Sequence, residues 1–381
     1  MNDNKSINLN TRDIKKTAVG SRVIKTILRP VPPSGSKFAV LELSTKAVKL
    51  LIGNDIDAIQ KNIEQLASNT PGVKFDFGNF LRTTDKVDAG KGLDRQNVMS
   101  MEYFSSRVLR SILQKKMIML ENGVDTVYTV ATAAYRTATN REEILDVIRD
   151  RAKINVRILS KSEEATATLF AYVFTSASRA RLLRSPNVIM IDQGGGSTEV
   201  SVFKEGNLVG NPYSINLGTT ALHNYLFNES NPDTPIALAF KNSDRKIRER
   251  LITFSRNMDE TMTIVGDVFC VCVGTAITKA AGGGGNAKQH DKILTKEFIM
   301  RRIEKAENII LERVKTVGEL YAVLRTLGPN DQFDAELTTR LGLPMFVAMM
   351  EKYNIPEIHV CGTGLWYGIY FQRLLNALDE D

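Results

Sequence analysis

The stretch Asp192-Gln193-Gly194-Gly195-Gly196-Ser197-Thr198-Glu199 decides how this chain folds. It is entered from Val188-Ile189-Met190-Ile191, an apolar run of strand character, and left through Val200-Ser201-Val202-Phe203. Three consecutive glycines at a strand end cost conformational entropy. They make sense where backbone N–H groups must come close to a ligand, because such a loop turns its amides into an anion-binding concavity. Asp192 can hold Mg2+ or another divalent cation directly or through water, since a hard cation takes oxygen ligands. Ser197 and Thr198 add hydroxyl donors, and Glu199 can point back toward the same loop. A plain hairpin turn competes with this, but it needs fewer glycines and no flanking acid pair.

Outward from that stretch, an earlier segment repeats the pattern. Phe38-Ala39-Val40-Leu41-Glu42-Leu43 and Val48-Lys49-Leu50-Leu51-Ile52-Gly53 read as a strand pair around a short turn. Two such openings in one chain suggest duplicated lobes. Further strands are expected at Thr126–Ala131, Val156–Leu159, Val268–Val273 and Glu357–Cys361. Helices are expected over Asn97–Leu120, from an Asn140 cap to Ala152, from a Ser162 cap to Leu182, and over Leu365–Leu378. Residues 54–81 are weakly patterned and leave room for an insertion, and Gly282–Gly285 reads as a surface loop.

Composition fits an ordinary globular protein: 381 residues, 43% hydrophobic and 24% charged. No apolar run is long enough to span a membrane, and with no apolar stretch near its start no secretory leader is expected. A cytoplasmic setting is expected, with Cys270, Cys272 and Cys361 as core thiols. The net charge of +7 is concentrated at the start. Residues 1–37 carry eight basic side chains against two acids and end in a Pro/Gly/Ser-rich linker. We expect a basic flexible tail there, a first lobe over 38–160 and a second lobe with helical insertions over 161–381. Nucleic acid is not expected as a partner except through that tail.

Six segments in order carry a family resemblance. They are Arg82 with Gly90-Lys91-Gly92-Leu93; Ala131-Thr132-Ala133-Ala134-Tyr135-Arg136; Ile158 to Ala165 with Glu163-Glu164; Asp192 to Glu199; Asn216-Leu217-Gly218; and Gly364-Leu365-Trp366-Tyr367-Gly368. Together they resemble the exopolyphosphatase and guanosine pentaphosphate phosphatase (Ppx/GppA) family of the actin-like ATPase superfold. The resemblance spans roughly residues 38–376. It implies an α/β fold of two actin-like (RNase H-like) lobes, each with a mixed sheet, and a cleft between them. It also implies a Mg2+-dependent phosphoanhydride hydrolase, commonly a homodimer, acting on inorganic polyphosphate or guanosine penta- or tetraphosphate. Glu164 matches the catalytic base that readies a water for attack on the terminal phosphorus. Without the resemblance Glu164 reads as a helix-start acid favoured by the dipole. Asp192 matches the metal-associated acid, and Glu199 the second catalytic and metal-binding acid. Gly194, Gly195, Gly196, Ser197 and Thr198 match the phosphate cradle, and Arg136 a phosphate-neutralising arginine.

The first-lobe loop departs from the family pattern D-x-G-[ST]-N-S. Here it reads Glu42-Leu43-Ser44-Thr45-Lys46-Ala47. Glu42 is the candidate metal acid there, and Ser44, Thr45 and Lys46 the candidate phosphate contacts. Trp366 stands where the end motif usually has arginine. These departures motivate an alternative: a catalytically impaired relative that binds a phosphorylated ligand as a sensor.

Overall fold

A computed structural model describes residues 37–68, 73–94, 96–256, 266–282, 286–327 and 331–377. Their contacts define two units. One holds the described residues up to Ala180 together with those from Thr363 on, and the other runs from Arg181 to Gly362.

In the first unit, β1 (Phe38–Leu43), β2 (Ala47–Gly53), β3 (Phe80–Lys86), β4 (Thr126–Ala131) and β5 (Val156–Ile158) form one sheet in the order β3-β2-β1-β4-β5. The β1–β2 and β2–β3 pairs are antiparallel, and β4 and β5 add in parallel. Every residue of β1 is buried, as expected of a strand covered on both faces. On one side lie Phe104, Val108, Ile112, Ile144 and Ile148. On the other, the helix Leu365–Ala377 lays Tyr370 on Phe38, with ring centroids 4.4 Å apart. A side chain on Gly368 would collide with the Ala167 carbonyl, so this helix meets the helix Lys161–Thr175 backbone to backbone.

The second unit repeats the scheme. Its strands are β6 (Asn187–Gln193), β7 (Thr198–Lys204), β8 (Asn207–Leu208), β9 (Tyr213–Ile215), β10 (Val268–Gly274), β11 (Ile293–Thr295) and β12 (Glu357–Val360). They run in the order β11-β12-β10-β6-β7-β8, with β9 beside β7. The path β8-β7-β6-β10-β12 has the same order and the same alternation of antiparallel and parallel pairs as β3-β2-β1-β4-β5. The expected duplication of two mixed α/β lobes is therefore present. Cys270, Cys272 and Cys361 are buried and not joined in a disulfide.

Several expectations shift. The helices Lys161–Thr175 and Leu365–Ala377, placed by sequence in the second lobe, belong to the first unit, because the latter packs on β1 and β2 and the former packs on it. The first of them is capped by Ser160 rather than Ser162. Glu163 N–H donates to Ser160 Oγ at 3.2 Å and Ser160 N–H to the Glu163 carboxylate at 2.8 Å, a reciprocal capping box. It ends at Thr175, and Arg179–Arg184 is a separate short helix. Asn140 stands at its helix start without capping it. Its amide instead accepts from Met99 N–H at 2.9 Å and donates to Met99 O at 3.0 Å. The weakly patterned segment contains the helix Ile56–Ala67, capped by Asp55. The helix expected from Asn97 starts at Met101 and passes through a π-helical turn, Phe104–Leu109. The tail at 1–36 and residues 283–285 of the glycine loop lie outside the described residues.

Candidate active site

The β6–β7 hairpin sets Asp192 directly opposite Glu199 and Gln193 opposite Thr198. Gly194 N–H donates to Ser197 O at 2.9 Å and closes the loop around Gly195-Gly196. None of the three glycines has a positive φ. The turn's own conformation therefore does not demand glycine. The space beside Gly196 is open, since a Cβ there would meet nothing within 4 Å.

The carbonyl side of this loop is fully used. The helix Thr219–Asn228 starts from Gly218 with no side-chain cap. Its orphan amides find the loop instead: Thr219 N–H donates to Gly194 O at 3.0 Å, and Thr220 and Ala221 donate to Gly195 O at 2.8 and 3.0 Å. Gly218 N–H donates to Gly196 O at 3.0 Å, and a Cβ on Gly218 would lie 2.6 Å from Gly194 O. With the carbonyls turned onto the helix, the amides of Gly195 and Gly196 donate to no other backbone group among the described residues.

The acids are oriented by neighbouring hydroxyls. Glu199 Oε1 accepts from Ser197 Oγ at 2.6 Å and from Ser214 Oγ at 2.8 Å. Thr198 is fully buried and its hydroxyl donates to Leu217 O at 2.8 Å, so its side chain braces the hairpin and only its backbone faces the loop. Beneath them Gln193 is buried and donates to Gly342 O at 2.9 Å. Like charges directly opposed on a sheet repel, and a cation relieves that repulsion. Asp192 and Glu199 offer the hard oxygen donors that Mg2+ takes, so they fit the implied ion. Among the described residues no group of three or more His, Cys, Asp or Glu gathers as a metal site. Water and ligand oxygens would complete the shell, as is usual for Mg2+.

In the first unit the two acids of Glu163-Glu164 have separate work. Glu163 serves the capping box and pairs with Arg157. Glu164 Oε2 accepts from Arg136 Nη1 at 3.2 Å, and the same Nη1 donates to Leu159 O at 2.6 Å. The side chains of Arg136 and Glu164 are 23% and 26% exposed, so the pair is held but open to solvent on one side. The sequence separates these residues by 28 positions, and β4 and β5 bring them together.

The β1–β2 hairpin is built on the same frame. Ser44 N–H donates to Ala47 O at 2.9 Å, closing a loop around Thr45-Lys46. Ser44 Oγ adds two bonds, donating to Ala47 O at 3.0 Å and accepting Ala47 N–H at 3.1 Å. The carbonyls of Thr45 and Lys46 are taken by the amides of Gly90, Val87 and Asp88. Glu42 lies opposite Lys49, and its Oε1 accepts from Lys49 Nζ at 2.7 Å. Sequence reasoning missed Lys49, Ser214 and the close approach at Gly218. For Lys49 a signal existed, since a two-residue loop at 45–46 fixes position 49 across from position 42.

Two lobes of repeated topology, each opening on a tight hairpin with an acid near the end of its first strand, define an actin-like α/β protein. The family model for the Ppx/GppA phosphatase family matches residues 68–377, and the chain belongs to that family. It is similar to the guanosine-5'-triphosphate,3'-diphosphate pyrophosphatase of Aeromonas salmonicida, 25% identical over 266 residues that cover 68% of this chain and 47% of that protein. It also resembles the bifunctional 3-dehydroquinate synthase/phosphatase of Fusobacterium nucleatum, 24% identical over 202 residues, 50% of this chain and 27% of that one. The chain thus spans less than half the length of these curated relatives. Among solved structures, an exopolyphosphatase from Cytophaga hutchinsonii superposes with a TM-score of 0.63 at 16% identity, covering 90% of this chain and 98% of that one. The Aquifex aeolicus Ppx/GppA family member gives 0.62 at 19% identity, covering 91% and 99%. At such identities these two likenesses show the fold alone. No helix among the described residues is long and apolar enough to cross a membrane.

Proposed function

We propose that this chain hydrolyses a phosphoanhydride bond, releasing terminal phosphate from inorganic polyphosphate or from a guanosine penta- or tetraphosphate. The observation that carries this reading is the glycine hairpin. Its carbonyls are spent on a helix start, its Gly195 and Gly196 amides are left over, and two carboxylates stand beside it. Amides for phosphate oxygens and acids for a cation are what phosphoryl transfer asks of a protein.

In this reading Gly194, Gly195, Gly196 and Ser197 cradle phosphate, with Thr198 contributing through its backbone. Asp192 and Glu199 hold Mg2+, which when bound would neutralise charge on the phosphates. Glu164 accepts the proton of the attacking water, and Arg136, bonded to both Glu164 and Leu159 O, keeps that carboxylate aimed. The three buried cysteines, outside any disulfide, fit a reducing cytoplasmic setting.

Glu164→Gln keeps the shape and removes the base. It should lower phosphate release from long-chain polyphosphate or guanosine pentaphosphate with Mg2+ by about 10²- to 10⁴-fold. Unchanged release in that variant would overturn the mechanism.

A second reading is a phosphate-ligand sensor with little turnover. It is favoured by the first hairpin, where Ser44 replaces a glycine and locks the turn with its own hydroxyl. Saturable binding of guanosine pentaphosphate with no phosphate released under Mg2+ supports the sensor, and measurable release removes it.

A further inference from the structure

The two hairpins correspond residue for residue. In each, the first loop-closing residue donates its N–H to the carbonyl three residues on, at 2.9 Å in both. That alignment sets Glu42 against Asp192 and Lys49 against Glu199. The second hairpin thus opposes two acids across its strands, whereas the first opposes an acid and a base.

The first pair is built into the fold. Glu42 is 3% exposed, and its Oε1 holds Lys49 Nζ at 2.7 Å. The other oxygen, Oε2, is buried with no hydrogen-bond partner among the described residues. Burying a carboxylate in that condition is costly, and a cation paired with it offsets the cost. Lys49 Nζ also lies 5.9 Å from the centre of the Trp366 ring, whose Nε1 is pinned to Thr363 O at 2.6 Å. A ring face there favours a positive charge on the lysine.

We propose that Lys49 is the resident cation of the first hairpin. Its ammonium neutralises Glu42 where the resemblance would put a metal-associated acid, so Glu42 is not a metal ligand. The divalent ion depends on the Asp192–Glu199 hairpin alone. Glu42, Lys49 and Trp366 then form one device, a charge carried by the chain in place of a charge taken from solution. This deepens the proposed function and rests on it only for the identity of the ion.

The test uses Mn2+ as the probe, counted by electron paramagnetic resonance on the full chain without substrate. Glu42→Gln should leave the number of bound Mn2+ ions unchanged and their affinity within about twofold, while Asp192→Asn should weaken binding more than about tenfold. Loss of a bound Mn2+ in Glu42→Gln, or a tenfold weakening, would overturn the proposal. A thermal-melt cycle of Glu42→Gln, Lys49→Met and the double variant checks the pair itself. Lys49→Met should melt lowest, and adding Glu42→Gln should restore part of the loss. Strictly additive shifts would contradict a coupled pair. Neither readout needs turnover, so an inactive chain that passes both tests would refute only the phosphatase reading.

Discussion

The hairpins at 42–49 and 192–199 share a backbone and differ in charge. Both close on the same hydrogen bond and both lean their loop carbonyls onto a later segment. The first meets amides of Val87, Asp88 and Gly90, and the second meets the start of the helix Thr219–Asn228. Side chains then separate them. Glu42 and Lys49 cancel across the first pair, and Ser44 ties down the turn beside them. Asp192 and Glu199 repel across the second, and the glycines leave its loop open. In the proposed reading, the fold duplicates one hairpin frame, keeps one copy charged for a ligand and settles the charge of the other internally.

The comparison can be broken at several points. The largest effect should come from Asp192→Asn, which removes half of the carboxylate pair and should cut Mg2+-dependent phosphate release by about 10²-fold or more. A loss under tenfold would mean that the second hairpin is not where the cation acts.

Gly218→Ala comes next. Its new Cβ would press on Gly194 O, 2.6 Å away, and on the Gly195 carbonyl. We expect about 1–3 kcal/mol of destabilisation by denaturant titration. An unchanged midpoint would show that the glycine loop does not rest on the helix start.

Ser44→Ala probes the lock on the other hairpin and should cost about 1 kcal/mol, since two bonds of a partly buried hydroxyl are lost. No such cost exists at its counterpart, Gly194.

The smallest effect concerns β3, which flanks the first hairpin. Burial pushes the Asp85 carboxyl up, but hydrogen bonds from Lys115 and Ser111 and the Lys115 charge outweigh it and hold the group below its usual range. Both bonds are 2.6 Å long. A depressed folded-state value stabilises above the unfolded one and fades as pH falls through it. Asp85→Asn should therefore melt lower than wild type at neutral pH, with the gap closing below about pH 4. A gap that persists in acid would assign the loss to packing instead.

Much of this was legible in the sequence because hairpins are local. Apolar strand runs around Asp192–Glu199 and Glu42–Lys49 fixed both turns, and their repetition announced the duplicated sheets. The pairing of Arg136 with Glu164 was not legible, since it depends on two parallel strands joining distant segments. The same limit hid Ser214 on Glu199 and Gln193 on Gly342. The unit boundary was misplaced for a related reason. Chain order puts Lys161–Thr175 and Leu365–Ala377 at or after the second lobe's expected start, whereas a close helix contact at Gly368 returns both to the first sheet. Asn140 illustrates a finer failure: residue type suggested a cap, but its amide fits the Met99 backbone better.

Central to this account is that ligand phosphate meets the backbone amides of the second hairpin, helped by a cation on its acids. Amide hydrogen exchange, followed by mass spectrometry with and without inorganic tripolyphosphate and Mg2+, addresses it directly. Slower exchange should appear in the peptide spanning residues 193–199 and vanish in Asp192→Asn. Equal exchange there with and without ligand, while the ligand is demonstrably bound, would contradict the account.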